Sequence, residues 1–238
     1  MLTIKNLRKI YKGSTKGIQD LSLTIEPGDI CAFIGSNGAG KTTTLKSIVG
    51  IHPYDHGQIV LNDIDLQKNP KKFKTMIGYS PDNPDIYENL RGYEYLNFIG
   101  SMYGVPQKIF EKEVEYLSEQ LDLKEGLSQL ISNYSHGMKQ RLVLISIFLH
   151  SPDLIVLDEP FVGLDPNASY FLKNELQKRA AEGAKIIYST HVLEVAEKIC
   201  NRAVLIDNGQ VKVNGLMEEL VAQESLEELF RRVTVHEE

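Results

Sequence analysis

Between Asp29 and Thr42 the chain passes from the apolar run Ile30-Cys31-Ala32-Phe33-Ile34 straight into Gly35-Ser36-Asn37-Gly38-Ala39-Gly40-Lys41-Thr42. No other segment restricts the possible folds as strongly. An apolar run without polar alternation is the pattern of a strand buried on both faces of a parallel sheet. The segment that follows fits G-x-x-x-x-G-K-[ST], a phosphate-binding loop, provided a strand precedes it and a helix follows it. The chemistry explains the composition. Glycines let the backbone curl so that successive N–H groups face phosphate oxygens, and the helix N-terminus adds about half a positive charge. Lys41 is then placed to reach the β- and γ-phosphates, and the Thr42 hydroxyl to bind Mg²⁺.

Two further apolar runs look like buried strands: Leu154-Ile155-Val156-Leu157 before Asp158, and Lys185-Ile186-Ile187-Tyr188 before Ser189-Thr190-His191. Three such strands separated by helical stretches predict an α/β core with right-handed crossovers. Asp158 at the mouth of a buried strand suits the magnesium shell, and the neighbouring Glu159 suits orientation or deprotonation of an attacking water. An acidic first turn of a helix is the plainer alternative, but Pro160 and the irregular Gly163-Leu164-Asp165-Pro166 speak against it.

Around this core, Leu2 to Leu7 and Ile18 to Ile25 read as strands joined by the polar loop Lys12 to Gly17, and Gln58 to Ile64 reads as a third alternating strand. Residues 83–149 differ in character, with helical periodicity throughout. Tyr93, Leu96, Phe98, Ile99 and Met102 recur at helical spacing, and Pro106 opens a helix whose apolar stripe continues through Val114, Leu117 and Leu121. The segment reads as a helical lobe inserted into the core. Asp207-Asn208-Gly209 marks a tight hairpin between Ala203–Ile206 and Gln210–Val213, and Leu216 to Val233 reads as one acidic amphipathic helix.

Composition removes other classes. Thirty-two acidic against 26 basic residues give a net charge of −6, which leaves no basic field to collect nucleic acid. Cys31 and Cys200 cannot make a disulfide framework and are expected to be buried thiols. The longest apolar run, Leu142 to Leu149, falls far short of the ~20 residues a bilayer crossing requires, and the N-terminal segment lacks the core of a signal peptide.

One more segment completes a joint pattern. Tyr134-Ser135-His136-Gly137-Met138-Lys139-Gln140-Arg141 alone is a Ser-capped helix start. In order, though, the phosphate loop, the helical insertion, this Ser-x-Gly segment, Leu-Asp-Glu-Pro, Gly-Leu-Asp-Pro and Ser-Thr-His resemble the ATP-binding cassette family, the nucleotide-hydrolysing subunits of ABC transporters. The resemblance spans residues 1–215, leaving 216–238 as a C-terminal helical tail. It implies an α/β fold: a P-loop NTPase core with a mainly parallel sheet, an N-terminal antiparallel β subdomain and the inserted α-helical subdomain. It also implies an ATPase, with ATP and Mg²⁺ as cofactors.

Residue by residue, the resemblance places Gly35, Ser36, Asn37, Gly38, Ala39, Gly40, Lys41, Thr42 and Thr43 on the nucleotide and Tyr11 on adenine, although a Tyr packing at a strand end is the bland alternative. Ser135 and Gly137 would contact the γ-phosphate held by the other cassette of a homo- or heterodimer, and Asp165 would lie in the loop crossing that interface. Glu159 would be the base, His191 the switch histidine, and Thr42, Asp158 and Asp82 would serve the metal. His52, His56, His136, His150 and His236 have no such placement. Two positions depart from the family pattern: His136 replaces the first signature glycine, and Asp82 stands where a Gln is usual. The aromatic stretch Tyr87 to Tyr103 reads as the core of the lobe, and the resemblance adds a surface that receives a helix of a transmembrane permease partner, on the cytoplasmic face of the membrane. Tyr79-Ser80-Pro81-Asp82-Asn83-Pro84 followed by Ile86-Tyr87-Glu88-Asn89-Leu90 and Gly92-Tyr93 looks like exporters of the drug, peptide and polysaccharide type. The rival expectations are a soluble ABC-type ATPase, acting in cluster assembly, translation or nucleic-acid remodelling, and an ATP-gated clamp without turnover.

Overall fold

The computed structural model describes residues 1–11, 13 and 17–234. The loop expected over Lys12 to Gly17 falls mostly outside them, as do the last residues of the tail and His236. In chain order, β1 (Leu2–Ile10) and β2 (Gly17–Ile25) lead to β3 (Ile30–Ile34) and α1 (Lys41–Ile48). Then come β4 (His56–Leu61), β5 (Ile64–Asp65), α2 (Pro70–Thr75) and β6 (Ile77–Ser80). A stretch of helices follows: α3 (Gly92–Met102), α4 (Gln107–Gln120), two short 3₁₀ turns and α5 (His136–Phe148). The chain returns through β7 (Leu154–Asp158), α6 (Pro166–Ala181), β8 (Lys185–Thr190) and α7 (Leu193–Ile199). It closes with β9 (Arg202–Asp207), β10 (Gln210–Leu216), α8 (Met217–Leu220) and α9 (Leu226–Thr234).

These strands form two sheets, one antiparallel in the order β2-β1-β4-β5 and one of six strands in the order β10-β9-β3-β8-β7-β6. In the larger sheet every pairing is parallel except β10 with β9. The expected α/β fold with a mainly parallel sheet and an N-terminal antiparallel sheet is therefore present. The register aligns Ile34 with Thr190, Asp158 with Ser189 and Ser80 with Leu157, so β3, β8, β7 and β6 end along one edge. That edge, outside the carboxyl ends of parallel strands, is where α/β sheets place ligands.

The sheet separates two cores. On β3, Ile30, Ala32 and Ile34 pack toward the helices α3 to α6, whereas Cys31 and Phe33 pack toward α1 and the antiparallel sheet. Strand β7 divides likewise, with Ile155 and Leu157 on one side and Leu154 and Val156 on the other. Burial on both faces explains why these strands read as unbroken apolar runs. Cys31 and Cys200 are buried free thiols; burial raises both acidities' pKa values, that of Cys200 to about 12. Among the described residues, no helix is long and apolar enough to cross a membrane.

Three elements differ from expectation. The alternating stretch from Gln58 to Ile64 is not one strand: Asn62 and Asp63 take φ of +44° and +65° and turn it into the hairpin β4–β5. The single helix expected from Leu216 to Val233 is two, because Leu216 ends β10 and Ser225 starts α9 afresh in a capping box with Glu228. Strand β6 was not anticipated. It is four residues long and contains Gly78, where a Cβ would stand 2.5 Å from Ile147 Cγ2 and 3.0 Å from Pro152 Cγ. The glycine is thus what lets α5 lie against the sheet edge. Gly78→Ala is expected to cost ~1–3 kcal/mol by overpacking. For a chain of this length that is a fall of roughly 2–10 °C in melting temperature, measurable by circular dichroism, and an unchanged melt would remove this account of β6.

Candidate active site

Gly35 to Gly40 leave β3 and return as α1. The turn is tight at both ends: Gly40 takes φ +107°, and a Cβ on Gly35 would stand 2.5 Å from the Ile206 carbonyl oxygen of β9. The tip of the β9–β10 hairpin secures the loop from outside. Gly209 N donates to Ala39 O at 2.8 Å, and Gln19 N of β2 donates to Gly209 O at 2.8 Å. Inside the curl, Lys41 is only 8% exposed and its Nζ donates to the carbonyls of Gly35 at 2.7 Å and Ser36 at 3.3 Å. Thr42 stays exposed at the start of α1.

Two adjoining clefts meet at Ser36 and Asn37. The first, of about 400 Å³, runs along Gly38, Gly40, Lys41, Thr42 and Thr43 to Tyr11. Tyr11 is 40% exposed rather than spent on the core, with Lys9 Nζ over its ring at 5.9 Å from the centroid. Its hydroxyl lies 3.1 Å from Thr43 Oγ1 and 3.4 Å from His52 Nδ1, and His52 meets the ring edge-on. His52, set aside on sequence grounds, therefore tethers Tyr11. Burial, and then the Lys46 and Lys9 charges, lower its pKa, which favours the neutral ring.

The second cleft, of about 540 Å³, is walled by Ser36 and Asn37 on one side and by Asp82, Glu159 and His191 on the other. Asp158 ends β7 at 2% exposure; its Oδ1 accepts from Ser189 Oγ, while its buried Oδ2 has no hydrogen-bond partner among the described residues. A carboxylate oxygen left bare in the interior is costly unless something cationic occupies it, so the donor set fits a divalent ion. The same Ser189 Oγ accepts from Glu159 N at 3.0 Å, which orients both acids from one hydroxyl. Glu159 sits at φ +50°, an uncommon conformation for a non-glycine residue, and its Oε2 lies 3.0 Å from His191 Nδ1. His191 is itself 64% exposed at the side chain, and its turn is fixed by Val192 N donating to Thr190 Oγ1 at 2.9 Å. Near Asp158 and Asp82, the Tyr79 hydroxyl is buried without a hydrogen-bond partner among the described residues; desolvation chiefly, then those two acids, raise its pKa above the ordinary value.

Ser135, Gly137 and Asp165 line neither cleft. Ser135 caps α5, its Oγ accepting from Met138 N at 3.2 Å. His136 occupies the first helical position without positive φ, so the backbone accepts a side chain where the family pattern has glycine. Gly137 packs so closely on the loop before α6 that a Cβ would stand 2.9 Å from Gly163 O. Asp165 caps α6 through Asn167 N and Ala168 N and pairs with Arg141 of α5; the Ala168 hydrogen bond first, then the others and the Arg141 charge, lower its pKa. The Ser135–Gly137 and Gly163–Asp165 segments thus form one linked surface at the N-termini of α5 and α6. Sequence reasoning missed Ser189 and Arg141 as members. Ser189 could have been found from its place at a strand end level with Asp158, whereas Arg141 required the fold.

A phosphate loop, an acid pair and a histidine gathered at the edge of a parallel sheet, with a helical insertion and an aromatic beside the loop, define a nucleotide-binding ATPase cassette. The comparisons agree. A family model described as "ABC transporter" matches residues 18–162. The chain is 32% identical over 239 residues to the "ABC-type transporter ATP-binding protein EcsA" of Bacillus subtilis (strain 168), covering 98% of this chain and 96% of that one. It is 33% identical over 216 residues to the "SkfA peptide export ATP-binding protein SkfE" of the same organism, covering 89% and 87%. A solved structure described as "Structure of ATP binding subunit of ABC transporter" superposes with a TM-score of 0.93 at 33% identity, covering 98% of this chain and 99% of that chain. The chain belongs to the ATP-binding subunits of the ABC transporter family.

Proposed function

We propose that two such cassettes close around ATP and hydrolyse it to drive a separate membrane-spanning permease of the export type, from the cytoplasmic face of the membrane. The observation that carries this is the meeting, at the ends of β3, β7 and β8, of the loop around Lys41 with the bare Asp158 oxygen and the Glu159–His191 pair. Lys41 would exchange the Gly35 and Ser36 carbonyls for β- and γ-phosphate oxygens, and Tyr11 would offer its ring to adenine. Thr42, Asp158 and Asp82 would hold Mg²⁺, which when bound neutralises phosphate charge. Glu159 would take the proton of the attacking water, with His191 holding the carboxylate in place and facing the γ-phosphate. Phosphoryl transfer is governed by positioning and charge stabilisation, and these residues supply both.

Ser135 and Gly137, at the N-terminus of α5, would meet the γ-phosphate of the facing cassette, with Asp165 beside them across the interface. Residues 1–215 would form the ATPase domain, with residues about 83–149 as its helical subdomain and 216–238 as a tail. Export rather than import is supported by the resemblance of residues 79–93 to exporters and by the relative named for peptide export. The test is purification of the tagged chain from its native membranes. A multi-spanning protein should co-purify and should dissociate after a detergent wash. Recovery from the soluble fraction without such a protein would favour a soluble ATPase and refute the permease assignment.

A further inference from the structure

The cleft that holds Glu159 and His191 has an apolar wall that the ATPase reading leaves unused: Val162, Leu193 and Phe230. Phe230 comes from α9, at the far end of the chain, and shares the cleft lining with Leu193, two residues after His191. The helix that follows His191 is short, with Leu193 and Ile199 only partly buried against the core. Helix α7 has seven residues, buries only Ala196 among them, and begins at Val192 without a side-chain cap. Helix α9 packs against it, inserting Leu226 and Leu229 into the core, while Leu226 N donates to Glu197 Oε2 of α7 at 3.4 Å. Ser225 and Glu228 fix where α9 begins, and Glu224 pairs with Arg232 along it. The aromatic ring is thus delivered to the cleft by a helix with its own start signal and its own anchors.

We propose that Phe230 is a positioning residue for hydrolysis: carried by α9, which packs on α7, and lining the same cleft as Leu193, it keeps the His191 turn seated so that the imidazole stays against Glu159. The inference rests on the roles given above to Glu159 and His191. Its physical basis is that a highly exposed histidine, held to its partner by one hydrogen bond, keeps its geometry only if the backbone carrying it is braced. A displacement of about 1 Å at a reacting group can cost up to ~100-fold in rate. The brace need not touch the nucleotide, so affinity should not follow the rate.

The experiment uses the full-length chain. Single-turnover ATP hydrolysis, with enzyme in excess, gives the chemical rate, and titration with a fluorescent ATP analogue gives affinity. For Phe230→Ala the rate should fall by about 10-fold while affinity stays within about twofold, and Phe230→Leu should recover most of the rate. Leu193→Ala, which removes another part of the wall, should give the same split and covers the case in which the first variant fails to fold. An unchanged rate in both alanine variants would overturn the proposal. So would a loss of affinity matching the loss of rate, which indicates direct nucleotide contact, or a lowered melting temperature with no rescue by leucine, which indicates a structural role. Glu159→Gln, assayed in parallel, separates the two levels: if it hydrolyses ATP at the normal rate, the site reading itself fails, whereas if only the Phe230 and Leu193 variants are normal, the brace alone fails.

Discussion

Glu159→Gln is expected to bind ATP with affinity within about threefold of the parent and to lose turnover by a factor of ~10²–10⁴, the usual worth of a positioned general base. Glutamine keeps the length of the side chain and an oxygen that can face His191 Nδ1, 3.0 Å from the carboxylate in the parent, so the cleft should keep its shape. The backbone at φ +50° is no less favourable for glutamine than for glutamate. What disappears is the group proposed to accept the proton of water, and a loss of ~10³-fold corresponds to about 4 kcal/mol in the barrier. If hydrolysis is what releases paired cassettes, the variant should elute as a dimer with ATP and as a monomer without it on size exclusion. Phosphate release at the parental rate would sink the assignment of Glu159 as base.

Lys41→Ala should act one step earlier. The ammonium is enclosed by the loop and satisfied by the Gly35 and Ser36 carbonyls. Its loss removes the only side-chain cation among the described residues lining the cleft that runs to Tyr11 and leaves two carbonyls facing the space that phosphate would occupy. Charge-assisted hydrogen bonds to a buried partner are worth roughly 2–5 kcal/mol, so affinity for an ATP analogue should weaken by ~10²-fold or more. Titration of analogue fluorescence measures this directly, and affinity within threefold of the parent would refute the role of Lys41. Lys41→Arg should not restore binding, because the broad planar guanidinium does not fit a loop closed around a narrow ammonium.

The parts of this fold that were legible in the sequence are those that a single pattern determines. An apolar run such as Leu154–Leu157 can satisfy its side chains only between two layers, and β7 lies there. Asp207-Asn208-Gly209 marked a hairpin because its turn needs positive φ, and Asn208 and Gly209 have it. Strand β6 was not legible because its glycine and terminal serine hide the apolar signal; Gly78 is explained only by Ile147, far away in the chain. The break in the tail was encoded, since Ser225 and Glu228 have capping-box spacing, but the continuing amphipathic pattern masked it. At the site, residue identities followed from motifs, whereas their partners did not. The Ser189 hydroxyl shared by Asp158 and Glu159, the His52 contact to Tyr11 and the arrival of Phe230 all depend on register or on packing between distant segments.

The sheet with a core on each face has a mechanical meaning. Alternate residues of β3 and β7 belong to different compartments, so a volume change in one compartment reaches the other only through the strands themselves or around their ends. Close-packed interiors transmit strain rather than absorb it. A push delivered to the helices α3 to α5 would therefore be felt along β3, whose Ile34 runs into the phosphate loop, and at the edge where Ser80, Asp158 and Thr190 finish. In this molecule the sheet works as a bulkhead, and the row of strand ends is where its two sides meet.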